Sequence, residues 1–371
     1  MTNTTRRLTT PEAIVSSQLI ALTAVEVHAE GEPSRVLLDA AHLIRGETMA
    51  ERFAYCRDHL QWLREFVLHE PRGYPALCAV LITPPVLPGS DLGMIILEQG
   101  GFTPMSGSNT MCAVAGAVAG GLLTPTGPIL EVTIDTAVGT VSASATIRDG
   151  RVVAVTVANV PSYVVALNAP LTVPEIGTVP VDVAFGGQFF VQAAAADCGV
   201  DLDPGRAPDL VRAGALLKMA AGEQIDVRHP LNPDIGGVSL VMLHSGPRRP
   251  GIDSRNTVVL TRGPILPDRP ETWTGILDRS PCGTGTCARM AALHARGDLD
   301  VGEDFAHRSI IDSLFVGRLT GTTTVAGMPA VLPTITGRTW VTGRARWTLD
   351  ADDPYPGGYT VADLWPPTQP R

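Results

Sequence analysis

Lysine is almost missing from this chain. Among 371 residues Lys218 alone carries an ε-amine, and it sits in a helix-like run (209–221) with no phosphate-binding context. A pyridoxal phosphate enzyme needs a Schiff-base lysine, so that chemistry is not expected. The eight histidines form no paired-ligand pattern, which argues against a catalytic metal. No glycine-rich dinucleotide fingerprint follows a strand. The expectation is therefore a protein that works with side chains alone, without a cofactor. The six cysteines (Cys56, Cys78, Cys112, Cys198, Cys282, Cys287) include no C-x-x-C pair. A disulfide framework is not expected in a chain this long, and most of the thiols read as small core residues. Apolar runs are broken well short of a membrane span, and the polar segment 1–18 has no apolar core after Arg6-Arg7. A cytoplasmic protein with no membrane partner is expected. A net charge of −9 argues against a nucleic-acid partner.

What is present is a globular composition, 44% hydrophobic and 18% charged, long enough for two domains. The 38 glycines and 31 prolines are spread along the chain and read as turns in a strand-rich protein. Strand-like alternation covers 20–28, 35–39, 77–82 and 92–97, with a helical spacing over 48–68. A long β region follows over 129–165. The second half repeats the order: strands near 181–190, a helix over 208–221, strands at 238–243 and 257–261, and a β-rich tail over 309–349.

Two short stretches are near copies. Met105-Ser106-Gly107-Ser108-Asn109-Thr110 and Pro281-Cys282-Gly283-Thr284-Gly285-Thr286 each set a proton-transfer group before a glycine, then a small hydroxyl residue. Each continues into an apolar helix-like run, over 110–119 and 286–295. Matching places in two halves are the mark of a duplicated domain. The reading is an α/β fold of two such domains, each a curved, mostly antiparallel sheet around a buried helix, with the site in the cleft between them.

Two facing helix N-termini suit chemistry at the α-carbon of an amino acid. Removing the α-proton needs a base, and a thiolate at Cys282 would serve if the helix start lowered its pKa. The amides of Gly283 and Thr284, with those of Gly107 and Ser108 opposite, would grip a carboxylate. Asp278 would receive a cationic nitrogen. Each residue also has a plainer reading. Pro281-Cys282-Gly283 is a cap with a buried thiol, Ser106 is an ordinary N-cap, and Asp278 pairs with Arg279 or caps a turn. Cys112 and Cys287 read as core.

The stretch Asp278-Arg-Ser-Pro-Cys-Gly-Thr-Gly-Thr-Cys-Ala-Arg-Met-Ala291 resembles a signature of the proline racemase family, which includes hydroxyproline epimerases and trans-3-hydroxyproline dehydratases. His28-Ala-Glu-Gly-Glu-Pro-Ser-Arg35, Glu70-Pro-Arg-Gly73, Asn159-Val-Pro-Ser162, Ala184-Phe-Gly-Gly187 and Asp352-Asp-Pro354 resemble it too. The resemblance spans about 19–359. It implies a diaminopimelate-epimerase-like fold, no cofactor, and a proline-like small-molecule substrate held between two pseudo-symmetric domains. It also implies that the C-terminal stretch returns to the first domain, giving residues 19–166 plus 341–371 and residues 167–340. A monomer or homodimer is expected.

The departures bear on the reaction. Ser106-Gly107-Ser108 stands where racemases and most epimerases of the family carry Cys-Gly-His, Gly237 where a histidine is usual, and Tyr74 where histidine is common. A serine hydroxyl is a poor base and a serviceable donor. The Ser106/Cys282 pair therefore points first to dehydration of trans-3-hydroxy-L-proline to pyrroline-2-carboxylate. The alternative is 2-epimerisation of 4-hydroxyproline or another proline derivative. A third reading is a scaffold that binds an amino acid without turning it over.

Overall fold

The computed structural model describes residues 20–248, 253–261, 265–350 and 352–361. The polar N-terminal segment 1–18, the first residue of the expected first domain and its last ten residues, 362–371, lie outside these.

Five α-helices occur among the described residues: α1 (Met49–His59), α2 (Gln61–Leu68), α3 (Gly107–Ala119), α4 (Ala207–Gln224) and α5 (Gly283–Arg296). Strands make up most of the rest, so the expected mixed α/β class holds. The order of pairing recurs in the two halves. Glu32–Leu37 passes through α1 and α2 to pair in parallel with Cys78–Thr83. Leu92–Glu98 passes through α3 to pair in parallel with Ile129–Thr136. In the second half Phe189–Ala194 passes through α4 to Leu240–His244, and Ser254–Thr261 passes through α5 to Asp304–Arg308, both again parallel. Antiparallel pairs link these units. The long strand Met328–Leu349 ties the halves together: its first part pairs with Leu314–Val325 and its last part with Ile20–Ala29.

The two motif-bearing helices are the most deeply buried of the five. α3 is buried on every side from Gly107 to Ala117, and α5 from Gly283 to Leu293. α3 is almost uncharged and apolar all round, as a core helix should be. Small residues make that possible. At Gly116 a Cβ would lie 2.7 Å from the branched carbon of Val36, so the sheet could not close on a larger side chain. One core cluster takes in Val36, Ile96, Met111, Val114 and Ile134 together with Met290, Phe315 and Ile335, joining residues of both halves. Burying each such side chain contributes about 1.5–3 kcal/mol. A second cluster joins α4 to Val241, Leu243 and Val259.

Two elements differ from the sequence reading. The run 48–68 is two helices, because Leu60 leaves helical geometry (φ −112°, ψ 24°) while remaining buried. Thr48 opens α1 with a capping box to Glu51, and α1 keeps a charged outer face. The bend lets α2 alone turn Leu63, Phe66, Val67 and Leu68 into the core. The segment 181–190 is likewise two strands, Gly177–Phe185 and Phe189–Ala194, joined at Gly186–Gln188. All six cysteines are free and buried. Lys218 is spent on Thr261, its Nζ donating to Oγ1 at 2.9 Å. No described helix is long and apolar enough to cross a membrane.

Two glycines of similar helical setting should respond oppositely to alanine. Gly116→Ala gains about 1 kcal/mol of helix propensity and loses about 1–3 kcal/mol to overpacking against Val36. At exposed Gly222 of α4 a Cβ meets nothing within 4 Å. Gly222→Ala should therefore stabilise by about 0.5–1 kcal/mol. Urea denaturation midpoints should move down for the first and up for the second.

Candidate active site

The two near-copies meet. A Cβ built on Gly107 would lie 3.1 Å from the Gly283 Cα, and one on Gly283 would lie 2.8 Å from the Gly107 Cα. Both would also strike Ile335 Cδ1, at 2.6 and 2.7 Å. Backbone touches backbone at the first residue of each helix, a contact that glycine alone permits. Ser106 and Cys282 are the N-cap residues of α3 and α5. The first-turn amides of both helices, including those of Gly107, Ser108, Gly283 and Thr284, have no partner within their own helices. Two helix dipoles therefore present their positive ends around one junction, an arrangement suited to a carboxylate.

Ser106 holds the N-cap position of α3, but its side chain makes no bond to the helix amides. The Ser106 hydroxyl instead accepts from Asn109 Nδ2 at 3.1 Å and lies 3.5 Å from Ser108 Oγ. Asn109 is fixed in turn by Ser34, whose hydroxyl donates to its Oδ1 at 2.8 Å. An amide donating to the Ser106 oxygen stabilises negative charge there and leaves the hydroxyl proton free to be given away.

Cys282 is buried, with Sγ 3.9 Å from Thr284 Oγ1. Its backbone has φ +63° and ψ 116°. For a residue with a Cβ such a conformation costs about 1–3 kcal/mol, and it persists only where its surroundings hold it. Ser106 in the other copy is ordinary extended backbone (φ −153°). The thiol's ionisation differs from the sequence reading. Burial, and then the Asp278 carboxylate, push the Cys282 thiol well above its ordinary value. The Gly285 amide and the Thr284 hydroxyl pull the other way and are outweighed. A helix start lowers a thiol's pKa where water also reaches it, and here water is excluded.

Asp278 is buried and caps a turn, its Oδ1 accepting from the Ser280 amide at 2.8 Å and the Ser280 hydroxyl at 2.9 Å. Its carboxyl is also hydrogen-bonded to that of Glu32, and burial raises both pKa values. Two carboxyls in one dry space cannot both ionise cheaply, so the pair holds a proton between them. Glu32 also accepts from the Arg279 amide at 2.8 Å and faces Cys78 Sγ at 3.9 Å. No described ion pair joins Asp278 to Arg279. Sequence reasoning gave no role to Glu32 or Asn109. The signals were there, in the run 28–35 and inside the first motif, but nothing in one dimension places Glu32 against Asp278.

A cavity of about 260 Å³ is lined by Met105, Val160, Phe185, Gly187, His229 and Ile235, among others. Met105 precedes Ser106, and a Cβ on Gly187 would touch Thr284 Cγ2 at 3.1 Å, so the cavity adjoins both helix starts. No group of three or more described His, Cys, Asp or Glu residues is arranged to hold a metal ion.

The family model described as proline racemase matches residues 24–360. The chain is 38% identical over 338 residues to a 4-hydroxyproline 2-epimerase of Streptosporangium roseum, covering 91% of this chain and 98% of that one. A hydroxyproline epimerase from Agrobacterium vitis, solved with trans-4-hydroxy-L-proline bound, superposes with a TM-score of 0.84 at 37% identity, over 93% of this chain and 96% of that one. A PhzF-family phenazine biosynthesis protein from Bacillus anthracis, 12% identical over 88% of this chain and 99% of that one, has a TM-score of 0.54 and so shares the fold.

The ionic state of the thiol is open to measurement. Alkylation of Cys282, followed by peptide mass spectrometry, should be slow at neutral pH and still rising above pH 9.0, the ordinary thiol value. Asp278→Asn removes a carboxylate that holds the thiol protonated, so labelling at pH 8 should speed up, by about tenfold for each pKa unit recovered. An unchanged rate would mean that burial alone sets the thiol's ionisation.

Proposed function

This chain belongs to the proline racemase family, and from that membership we propose that it is a cofactor-independent 2-epimerase of a hydroxyproline. The observation that carries the reading is the contact of Gly107 with Gly283, which puts a hydroxyl and a thiol at the mouths of two abutting helices. The likeness to relatives named as acting on 4-hydroxyproline supports the substrate class. It also moves epimerisation ahead of dehydration, the order opposite to that reached from Ser106 and Cys282 alone.

In this reading the substrate carboxylate lies on the amides of Gly107, Ser108, Gly283 and Thr284. The cationic ring nitrogen lies on Asp278. That cation offsets the carboxylate's repulsion of a thiolate and so helps Cys282 ionise when substrate is bound. The Cys282 thiolate takes the α-proton, and the electron pair passes into the carboxylate as an enolate held by the helix amides. Ser106 gives its proton to the opposite face, and exchange with solvent resets both groups. The two-domain division, residues 19–166 plus 341–371 and residues 167–340, belongs to the same proposal. Pairing of the end of Met328–Leu349 with Ile20–Ala29 supports the return of the C-terminal stretch.

Dehydration of trans-3-hydroxy-L-proline is the second reading, favoured by Ser106 itself. Cys282 would take the α-proton while the C3–O bond breaks, and the departing hydroxide would leave as water with a proton from a neighbouring donor. The enamine then tautomerises to pyrroline-2-carboxylate.

NMR in D2O separates these outcomes. Trans-4-hydroxy-L-proline should give the α-deuterated product of inverted configuration. Loss of the ring hydroxyl from trans-3-hydroxy-L-proline, without inversion of the 4-hydroxy isomer, would select the dehydratase. Turnover of neither would return the scaffold reading. Ser106→Ala should cut inversion by about 10²–10⁴-fold while Cys282 still exchanges the α-proton of one epimer with solvent. Cys282→Ala should abolish both.

A further inference from the structure

Behind Cys282 lies a buried hydrogen-bond chain that the chemistry above does not use. Asn256, Thr286 and His307 all have no exposed surface. Asn256 Nδ2 lies 2.9 Å from His307 Nε2 and donates also to the Arg308 carbonyl at 3.3 Å, which fixes its amide orientation. His307 Nε2 is therefore the acceptor, and Nδ1 carries the hydrogen. Nδ1 lies 2.9 Å from Thr286 Oγ1, which donates to the Pro281 carbonyl at 3.1 Å. Every donor in the chain points the same way, from Asn256 to the peptide bond entering Cys282. Burial holds His307 well below its usual pKa, in keeping with the neutral ring the chain requires.

The other copy of the motif provides an internal comparison. Thr110 corresponds to Thr286, yet its hydroxyl donates to the Ser106 carbonyl at 2.7 Å, four residues back. Its remaining polar neighbours are the sulfurs of Met94 and Met105. Ser106 there has ordinary backbone geometry. In the Cys282 copy the threonine hydroxyl reaches one residue further back, with a histidine behind it, and the cysteine sits at φ +63°. The relay and the strained residue occur together, in one copy only.

We propose that Asn256, His307 and Thr286 act as positioning residues, a relay that locks the Pro281–Cys282 turn in its left-handed conformation and so keeps the thiol buried beside Thr284 and aimed at the junction of the two helices. The catalytic part of this inference rests on the epimerase reading; the positional part does not. Without the relay the turn relaxes and the sulfur swings away from its niche.

Thr286→Val keeps the side chain's shape and removes the hydroxyl; Thr286→Ser keeps the hydroxyl. For Thr286→Val, kcat should fall about 100-fold, as for a catalytic group displaced by about an ångström, with KM within about threefold of wild type. Peptide-resolved alkylation of Cys282, which needs no substrate, should become about tenfold faster as the thiol leaves its buried niche. Thr286→Ser should restore both readouts. His307→Phe, which breaks the chain one link earlier, should reproduce the faster alkylation and covers the case in which Thr286→Val does not fold. Wild-type alkylation rates in both disrupting variants, or Thr286→Ser behaving as Thr286→Val does, would overturn the relay. A wild-type protein inactive on every proline derivative would remove the proposed reaction, and the alkylation series would still decide the relay.

Discussion

Two glycines in contact set the terms for everything else in this molecule. Gly107 and Gly283 bring the starts of two buried helices together with no side chain between them, and a single methyl on either would force them apart. From that contact follow the paired dipoles, the convergent amides, and the placing of Ser106 and Cys282 as neighbours of one junction. Ile335 closes the same point from the long strand Met328–Leu349. The strand that ties the halves together therefore also packs against their meeting point. Helix, sheet and site share one packing problem.

The site is dry, and dryness governs its charges. Burial outweighs the helix start at Cys282, and it lets Glu32 and Asp278 share a proton where two carboxylates would repel. With the thiol protonated and one proton held between two carboxyls, these side chains carry little charge of their own. In the proposed reaction a zwitterionic amino acid brings the complementary charges with it, its carboxylate to the amides and its nitrogen to Asp278. That economy fits a chain with a net charge of −9, which offers an anion no long-range attraction beyond what helix termini provide locally.

The two copies of the motif have diverged in mechanics as well as chemistry. The serine copy is relaxed, its hydroxyl supported by Asn109 and Ser34. The cysteine copy is strained and braced from behind by Thr286, His307 and Asn256. A weakly acidic hydroxyl that has only to donate needs one polarising neighbour. A thiol that takes an α-proton, as in the proposed reaction, needs its direction set. The two copies share a frame and differ in what supports their cap residues.

Much of this was legible along the chain. The period of apolar residues gave the strands and helices of both halves, because a half-buried strand and a core helix each leave a distinct spacing. The shared pattern of 105–110 and 281–286 marked the candidate site, since two unrelated caps have no reason to share a register. Local sequence did not show the break at Leu60, which depends on where the core lies relative to α1 and α2. Nor did it show the height of the Cys282 pKa, because desolvation is a property of the closed fold and not of a helix start. Glu32 and Asp278, 246 positions apart, become one titrating pair only when the sheet of one half closes on the turn of the other. His307 reads as one more scattered histidine until Asp304–Arg308 pairs in parallel with Ser254–Thr261 and sets it beside Asn256. The order of residues determined which groups were available and on which elements they would ride. Tertiary structure decided which of them would meet out of water, because only packing removes solvent and brings distant charges within reach of one another.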